Sequence, residues 1–427
     1  MSQSNEMRYV TTEALESLVE ELLAGETGVI APVGEEIGSV PVGKSRFVEY
    51  RLIGEGEGDR KPAFNAAGMT SRLSARSLKE FFLPKSEPVV HYKRKGKDVE
   101  LQDVPTKFSP RVVLGARPCD AAALEIVDRV MDWDYHDELW FGRREATTVV
   151  TMACEGEDES CFCTAVGLGP AHPRGSDIML HRVPAGSDRP EGFVAELITE
   201  KGVAFAEAHS KHFSGGDGKK EELAAANERE EEVAKKVSKQ LSFDREKVTA
   251  WLAQNFEHEI WGRLAFRCHG CGACASVCPT CHCFDIVDER ESYLHGTRRR
   301  NWDTCQTARF TVHASGHNPR EDQNCRFRQR VMHKFRIYPE RFEETLCTGC
   351  GRCVRVCPGG QDLLQILAEL DGLAAEIQGA SGGGSKKSAP SMNKDENSTE
   401  KPGKNKIPSL GNLSKATSSQ SEKGGAK

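Results

Sequence analysis

The sequence predicts an α+β protein in three parts. An amino-terminal α/β domain covers residues 1–243, a cysteine-rich domain covers 244–379, and a disordered tail covers 380–427. Three observations lead to this division. Strand-like and helix-like apolar runs alternate in the first half. One cysteine motif occurs twice, at 268–279 and 347–358. From about Ala380 the composition shifts to Ser, Gly, Lys and Asn, with too few apolar residues to offset the entropy of ordering.

The elements follow in order. Residues 11–25 read as a helix: Thr11 or Thr12 caps it, Leu15, Leu18, Val19, Leu22 and Leu23 form its apolar stripe, and Gly25 ends it. Residues 26–110, with Gly54, Gly56 and Gly58 in one loop, read as short strands and turns. Val112–Ala116 is an apolar strand, and Ala121–Met131 is a helix with Leu124, Val127, Val130 and Met131 at helical spacing. Thr147–Ala153 is a second strand. Strand, helix and strand over this length predict a βαβ unit in a parallel sheet, whose strand ends share the edge where ligands bind. Cys119 and Cys154 follow the two strands, so that edge is where both belong. Residues 213–240 read as a linker or an exposed charged helix, and 244–264 as one amphipathic helix leading into the first cysteine motif. Another helical pattern spans 361–377.

Charge and composition set further bounds. The net charge is −6, divided as +5 in the tail and −11 in the rest, so no global basic excess points to nucleic acid. No run approaches the ~20 apolar residues of a membrane span, and the first residues carry no signal-peptide pattern. The 16 cysteines fall at intervals of two and three residues, a pattern of metal ligation in a reducing cytoplasm rather than of disulfides.

The chemistry lies in the cysteine repeat. Cys268-x2-Cys271-x2-Cys274-x3-Cys278-Pro279 recurs as Cys347-x2-Cys350-x2-Cys353-x3-Cys357-Pro358. Both match the bacterial iron–sulfur spacing, trailing proline included. Three thiolates on a tight loop reach three corners of a cube, and Gly270, Gly272, Gly349 and Gly351 let that loop fold closely. The fourth cysteine, read as starting a helix that points away, ligates the other cluster. One cluster is therefore expected on Cys268, Cys271, Cys274 and Cys357, and the other on Cys347, Cys350, Cys353 and Cys278. Structural zinc pairs two C-x2-C units across a long gap, which is not this pattern. The second domain thus reads as a ferredoxin-like domain for two [4Fe-4S] clusters with a long insert, 68 residues between Cys278 and Cys347.

The insert is basic. Arg298 to Arg341 holds 11 Lys or Arg against four acidic residues, and no nucleic-acid motif accompanies them. Packing around the clusters is the favoured reading for most; tuning a negatively charged cluster or docking an acidic partner are the others. Cys281, Cys283, Cys305 and Cys325 read as thiols beside the clusters, and His269, His282, His313 and His317 as hydrogen-bonded structural residues. Cys119, Cys154, Cys161 and Cys163 form a second group of irregular spacing. It predicts a third [4Fe-4S] cluster on the sheet edge, with structural thiols as the alternative. No Walker A, G-x-G-x-x-G, H-E-x-x-H or G-x-S-x-G pattern is present.

A string of blocks carries a family resemblance: Cys268–Asp288, Arg300–Cys305, Gly316–Arg320, Arg328–Phe335 and Cys347–Pro358, with Arg117–Asp120 and Cys161–Cys163 in the first half. Together they resemble the dicluster iron–sulfur subunits of cytoplasmic nickel–iron hydrogenases, where it is the beta subunit, and of anaerobic sulfite reductases. The likeness spans about residues 110–180 and 260–370; the tail and the charged stretch at 213–240 depart from the pattern. The resemblance implies two [4Fe-4S] clusters and a role in relaying electrons, with a flavin-containing electron-transfer subunit on one side and a catalytic oxidoreductase subunit on the other. It implies no substrate-converting centre in this chain. The alternative function is redox chemistry on a small sulfur or thiol substrate at the amino-terminal cysteines.

Overall fold

The computed structural model describes residues 6–35, 47–53, 64, 69, 73–156, 158–186, 190–213, 220–238 and 241–381. The Gly54–Gly58 loop and almost all of the predicted tail lie outside them. The chain divides into two units, Met1–Gly379 and Ala380–Lys427, and the first is described below.

The first half runs β1 (Met7–Thr11), α1 (Thr12–Ala24), β2 (Gly28–Glu35), β3 (Phe47–Leu52), α2 (Lys79–Phe82), β4 (Ser86–Lys95), β5 (Asp98–Asp103), β6 (Arg111–Ala116), α3 (Pro118–Met131), α4 (Glu138–Glu145), β7 (Thr147–Met152), β8 (Ile178–Val183), β9 (Gly192–Leu197) and α5 (Glu200–Ala208). Seven strands form one sheet in the order β1-β9-β8-β7-β6-β2-β3. Its centre, β2, β6, β7 and β8, is parallel, and its flanks are antiparallel. The apolar run Val112, Val113 and Leu114 is buried on both faces, as a central parallel strand requires. One face packs on α1 through Leu15, Leu18, Val19 and Leu22. The Thr11 hydroxyl accepts from the Ala14 amide at 3.1 Å and caps that helix. The other face packs on α3 through Ala121, Leu124 and Val127. The predicted βαβ unit is present: β6 and β7 are parallel neighbours, so their ends share an edge.

The chain continues with α6 (Lys220–Ser238), α7 (Arg245–Gln254), α8 (Ile260–Ala265), α9 (Ala273–Ser276), β10 (Phe284–Arg290), β11 (His295–Trp302), α10 (Gln323–Met332), a π-helical turn (His333–Ile337), α11 (Tyr338–Phe342), α12 (Arg352–Arg355) and α13 (Leu363–Ser381). Three details differ from the sequence reading. The stretch 213–240 contains a helix, α6, that is not solvated all round: Ala226, Glu230, Val233 and Val237 form a buried stripe. The helix expected over 244–264 is two helices. The Asn255 amide donates back to the Trp251 carbonyl at 2.8 Å and closes α7, while the His258 ring accepts from the Ile260 amide at 3.1 Å and opens α8. No helix starts at Cys278. Instead the Thr280 hydroxyl donates to the Leu346 carbonyl at 2.8 Å, and the chain extends into β10.

A second sheet, β10-β11-β4-β5, is antiparallel throughout and joins hairpins from the two halves of the sequence. Arg300 on β11 and Arg143 on α4 both donate to the buried Glu87 carboxylate of β4, which holds that junction. The helices around the cysteine motifs form a separate core of Val248, Trp251, Trp261, Phe327, Val331, Phe335 and Leu367, which also takes in Phe162 and Val166 of the first half. Among the described residues no helix is long and apolar enough to cross a membrane.

Candidate iron–sulfur centres

The two cysteine motifs fold alike. Each begins in a loop with two left-handed glycines, passes through one short helical turn, α9 or α12, and ends at the fourth cysteine. In the second motif the glycines are indispensable. Gly349 and Gly351 sit at φ +63° and +69°, and a Cβ on either would lie within 2.5 Å of the backbone of Ser160 or Phe162.

Cys268, Cys271, Cys274 and Cys357 line one cavity, together with Cys353 and Arg330. Cys347, Cys350, Cys353 and Cys278 line a second, together with Arg330 and Lys334. Three cysteines of one motif thus meet the fourth of the other at each cavity. Hydrogen-bond donors converge on the sulfurs. Gln323 Nε2 lies 3.2 Å from Cys268 Sγ, the Gly349 amide 3.4 Å from Cys347 Sγ, and the Gln361 amide 3.3 Å from Cys357 Sγ. Lys334 Nζ donates to Cys278 Sγ at 3.4 Å, to Thr280 Oγ1 at 3.0 Å and to the Leu346 carbonyl at 2.8 Å. The Cys281 thiol and this ammonium hold Cys278 well below the ordinary thiol range. Burial pushes the other thiols up, Cys347 to about 12. Ligation must then displace protons, as iron does when it binds thiols.

These residues fit the group that the motifs imply. The donors are soft thiolates with N–H groups aimed at their sulfurs. Nε and Nη2 of Arg330 are buried without a partner, against both cavities. Among the described residues, no three His, Cys, Asp or Glu side chains close on a point as around a single metal ion. A cubane cluster spreads its four ligands over its corners, so its cysteines surround a space instead.

The amino-terminal cysteines also share a cavity, of about 690 Å3. Cys119 lies in the first turn of α3, Cys154 just past β7, Cys161 in the following loop and Cys163 at the start of a 3-10 turn. Arg117, Arg355, Cys350 and the α6 residues Val233 and Val237 complete the lining. The loop is tied to the second motif: the Phe162 amide donates to the Gly349 carbonyl at 2.8 Å, and Cys161 Sγ lies 3.9 Å from the Cys350 carbonyl. Burial raises all four thiols, Cys163 to about 12, and Arg117 beside Cys154 partly offsets this for that thiol.

The remaining candidates stand apart from these cavities. Cys281 neighbours Cys278, and Cys283 neighbours Cys305, without lining any of the three. His269 borders the first cavity. His282 packs on His333 with ring centroids 5.6 Å apart, and burial lowers it to about 4. His313 and His317 are exposed. The basic insert was legible only in bulk. Nothing in its composition singles out Arg330 and Lys334; their i, i+4 spacing on a helix was the available signal. Arg352, buried against Asp120 at 2.7 and 2.6 Å, was missed outright.

Residues 267–361 match the 4Fe-4S dicluster domain family. Sulfhydrogenase 2 subunit beta of Pyrococcus furiosus is 31% identical over 292 residues, 68% of this chain and 82% of that relative. The chain belongs to the hydrogenase beta-subunit family. As a hydrogenase beta-type subunit it is an iron–sulfur electron-transfer protein with a ferredoxin-like dicluster domain for two [4Fe-4S] clusters. The match covers the segment containing all eight repeat cysteines and the whole basic insert between them.

Proposed function

We propose that this chain is the electron relay of a cytoplasmic hydrogenase-like or sulfite-reductase-like complex, with a flavin-containing subunit on one side and the catalytic subunit on the other. Cys268, Cys271, Cys274 and Cys357 hold one [4Fe-4S] cluster; Cys347, Cys350, Cys353 and Cys278 hold the other. Cys119, Cys154, Cys161 and Cys163 hold a third. The observation that carries the reading is the crosswise lining of two adjoining cavities by the repeat cysteines. When bound, the clusters supply electron carriage; the protein supplies ligands, spacing and electrostatics. The N–H donors of Gln323, Gly349 and Gln361 orient the thiolates. Phe327, Phe162 and Leu363 line the paired cavities and exclude water from them. For the third site the support is the gathering of its four cysteines around one cavity, with Cys350 in the shared wall.

The test is an iron and sulfide count on the full chain prepared anaerobically. About twelve of each is expected, falling to about eight in Cys154→Ser. A count of about eight that Cys154→Ser leaves unchanged removes the third cluster. Adding the flavin-containing subunit, reduced, must then turn the electron paramagnetic resonance signals of the reduced clusters on; silent clusters overturn the relay. The volume of the amino-terminal cavity favours a second reading, because 690 Å3 lies in the range of small-molecule sites. In that reading a small sulfur or thiol substrate reoxidises the reduced chain directly, and Cys154→Ser abolishes that reoxidation.

A further inference from the structure

The basic insert contains two cations that are more than nine-tenths buried and one turn apart. Arg330 on α10 is 6% exposed, and Lys334 on the π-helical turn is 2% exposed. They differ in what they touch. Lys334 borders only the cavity of Cys278, Cys347, Cys350 and Cys353, and its ammonium is fully bonded there. Arg330 borders both paired cavities and stands against the Cys353 thiol in their common wall.

Arg330 also lacks what the other buried arginines have. Arg300 and Arg143 pair with Glu87, and Arg352 pairs with Asp120. Among the described residues no carboxylate pairs with Arg330, and its Nε and Nη2 are buried without a partner. Leaving a guanidinium so placed is strongly unfavourable unless a counter-charge is supplied. The surrounding protein offers thiols, so the counter-charge belongs to what fills the two cavities.

We propose that Arg330 is a cation shared by the two paired clusters, donating N–H to sulfur on both sides and raising both reduction potentials together. A positive charge at hydrogen-bond distance favours the more negative, reduced form, and its effect falls with distance. Because Arg330 touches both cavities, it acts on both; Lys334 acts on one. The spacing between the motifs thereby has a role: it is the length of chain that brings α10 and its cation between the two sites. The inference rests on the ligand sets proposed above, and the two fail separately. Iron content and the number of reduced signals test the ligand sets, whereas the midpoints test Arg330.

The experiment is a potentiometric titration of the full, cluster-loaded chain, followed by electron paramagnetic resonance. Arg330→Gln must lower both midpoints at unchanged iron content, and Lys334→Gln must lower only that of the cluster bound by Cys278. Unchanged midpoints in loaded Arg330→Gln, or a fall in only one, overturn the shared role, and equal falls in Lys334→Gln overturn the assignment of sides. Should Arg330→Gln bind too little iron to titrate, Arg330→Lys decides. It keeps the charge and loses the planar fork, so at least one midpoint must fall as a shorter reach leaves that cluster. Loaded Arg330→Lys with both midpoints unchanged, or a chain that loads neither cluster, overturns the proposal.

Discussion

Asp120 and Arg352 are joined by two hydrogen bonds in the interior, each side chain almost fully buried. The Tyr50 hydroxyl donates to the same carboxylate at 2.9 Å. Asp120 follows Cys119, and Arg352 stands between Cys350 and Cys353, so this pair fastens the amino-terminal cysteines to the second motif. Breaking a buried pair leaves one charge uncompensated, so Arg352→Gln should cost about 3–5 kcal/mol. An earlier urea midpoint of the loaded chain at equal iron content is the measurement. Cys278 offers a sharper residue-level test. It borders the cavity of Cys347, Cys350 and Cys353, not that of its sequence neighbours. Cys278→Ala should therefore abolish the signal of the cluster on the second motif and spare that of the first. Loss of the first motif's signal alone would mean that each motif serves its own cluster.

At the scale of elements, α6 is both wall and latch. Its Val233 and Val237 close one side of the amino-terminal cavity. Its Glu230 meets His181 of β8, with Nδ1 and Oε1 2.8 Å apart, and Glu196 of β9 faces the other ring nitrogen at 3.5 Å. Burial opposes a charge on this imidazole, but the two carboxylates outweigh it and raise the ring from 6.5 to about 9. The folded-state value is raised, so the stabilisation is complete below pH 6.5 and fades as pH rises through about 9. Amide protection of α6 relative to the central strands should decline across that window, measured by hydrogen exchange corrected for intrinsic rates. Glu230→Gln should flatten the dependence. An α6 whose relative protection is level from pH 6.5 to 9 would show that the helix is held by its apolar stripe alone.

The whole molecule places three cysteine-lined cavities in a row. Arg330 and Cys353 belong to the walls of the first two, and Cys350 to those of the second and third. Sharing walls fixes their order, with the second motif in the middle. The unit that does this ends at Gly379, and the last buried apolar side chain described on α13 is Ala374. A chain ending at Gly379 should therefore retain the full chain's iron and sulfide content. A drop in iron per chain would give the Ser/Gly/Lys-rich segment a structural part after all.

The sequence alone determined what is local in physical origin. Ligand spacing on a tight loop is a property of a dozen consecutive residues, so Cys268–Pro279 and Cys347–Pro358 announced their chemistry without help from the fold. Helix α1, with its cap and stripe, and the parallel β6 and β7 were equally legible, because periodicity and capping act within one element. Other features depended on contacts distant in sequence. Pairing of β4 with β11 joins residues more than 200 positions apart, and no pattern in either strand names its partner. The stripe of α6 is sparse enough to read as solvated, and Asn255 and His258 broke a pattern whose periodicity ran on. Arg330, Lys334 and Arg352 were anonymous among many basic residues. A charge acquires its role from burial and from what it faces, and only the tertiary structure decides both.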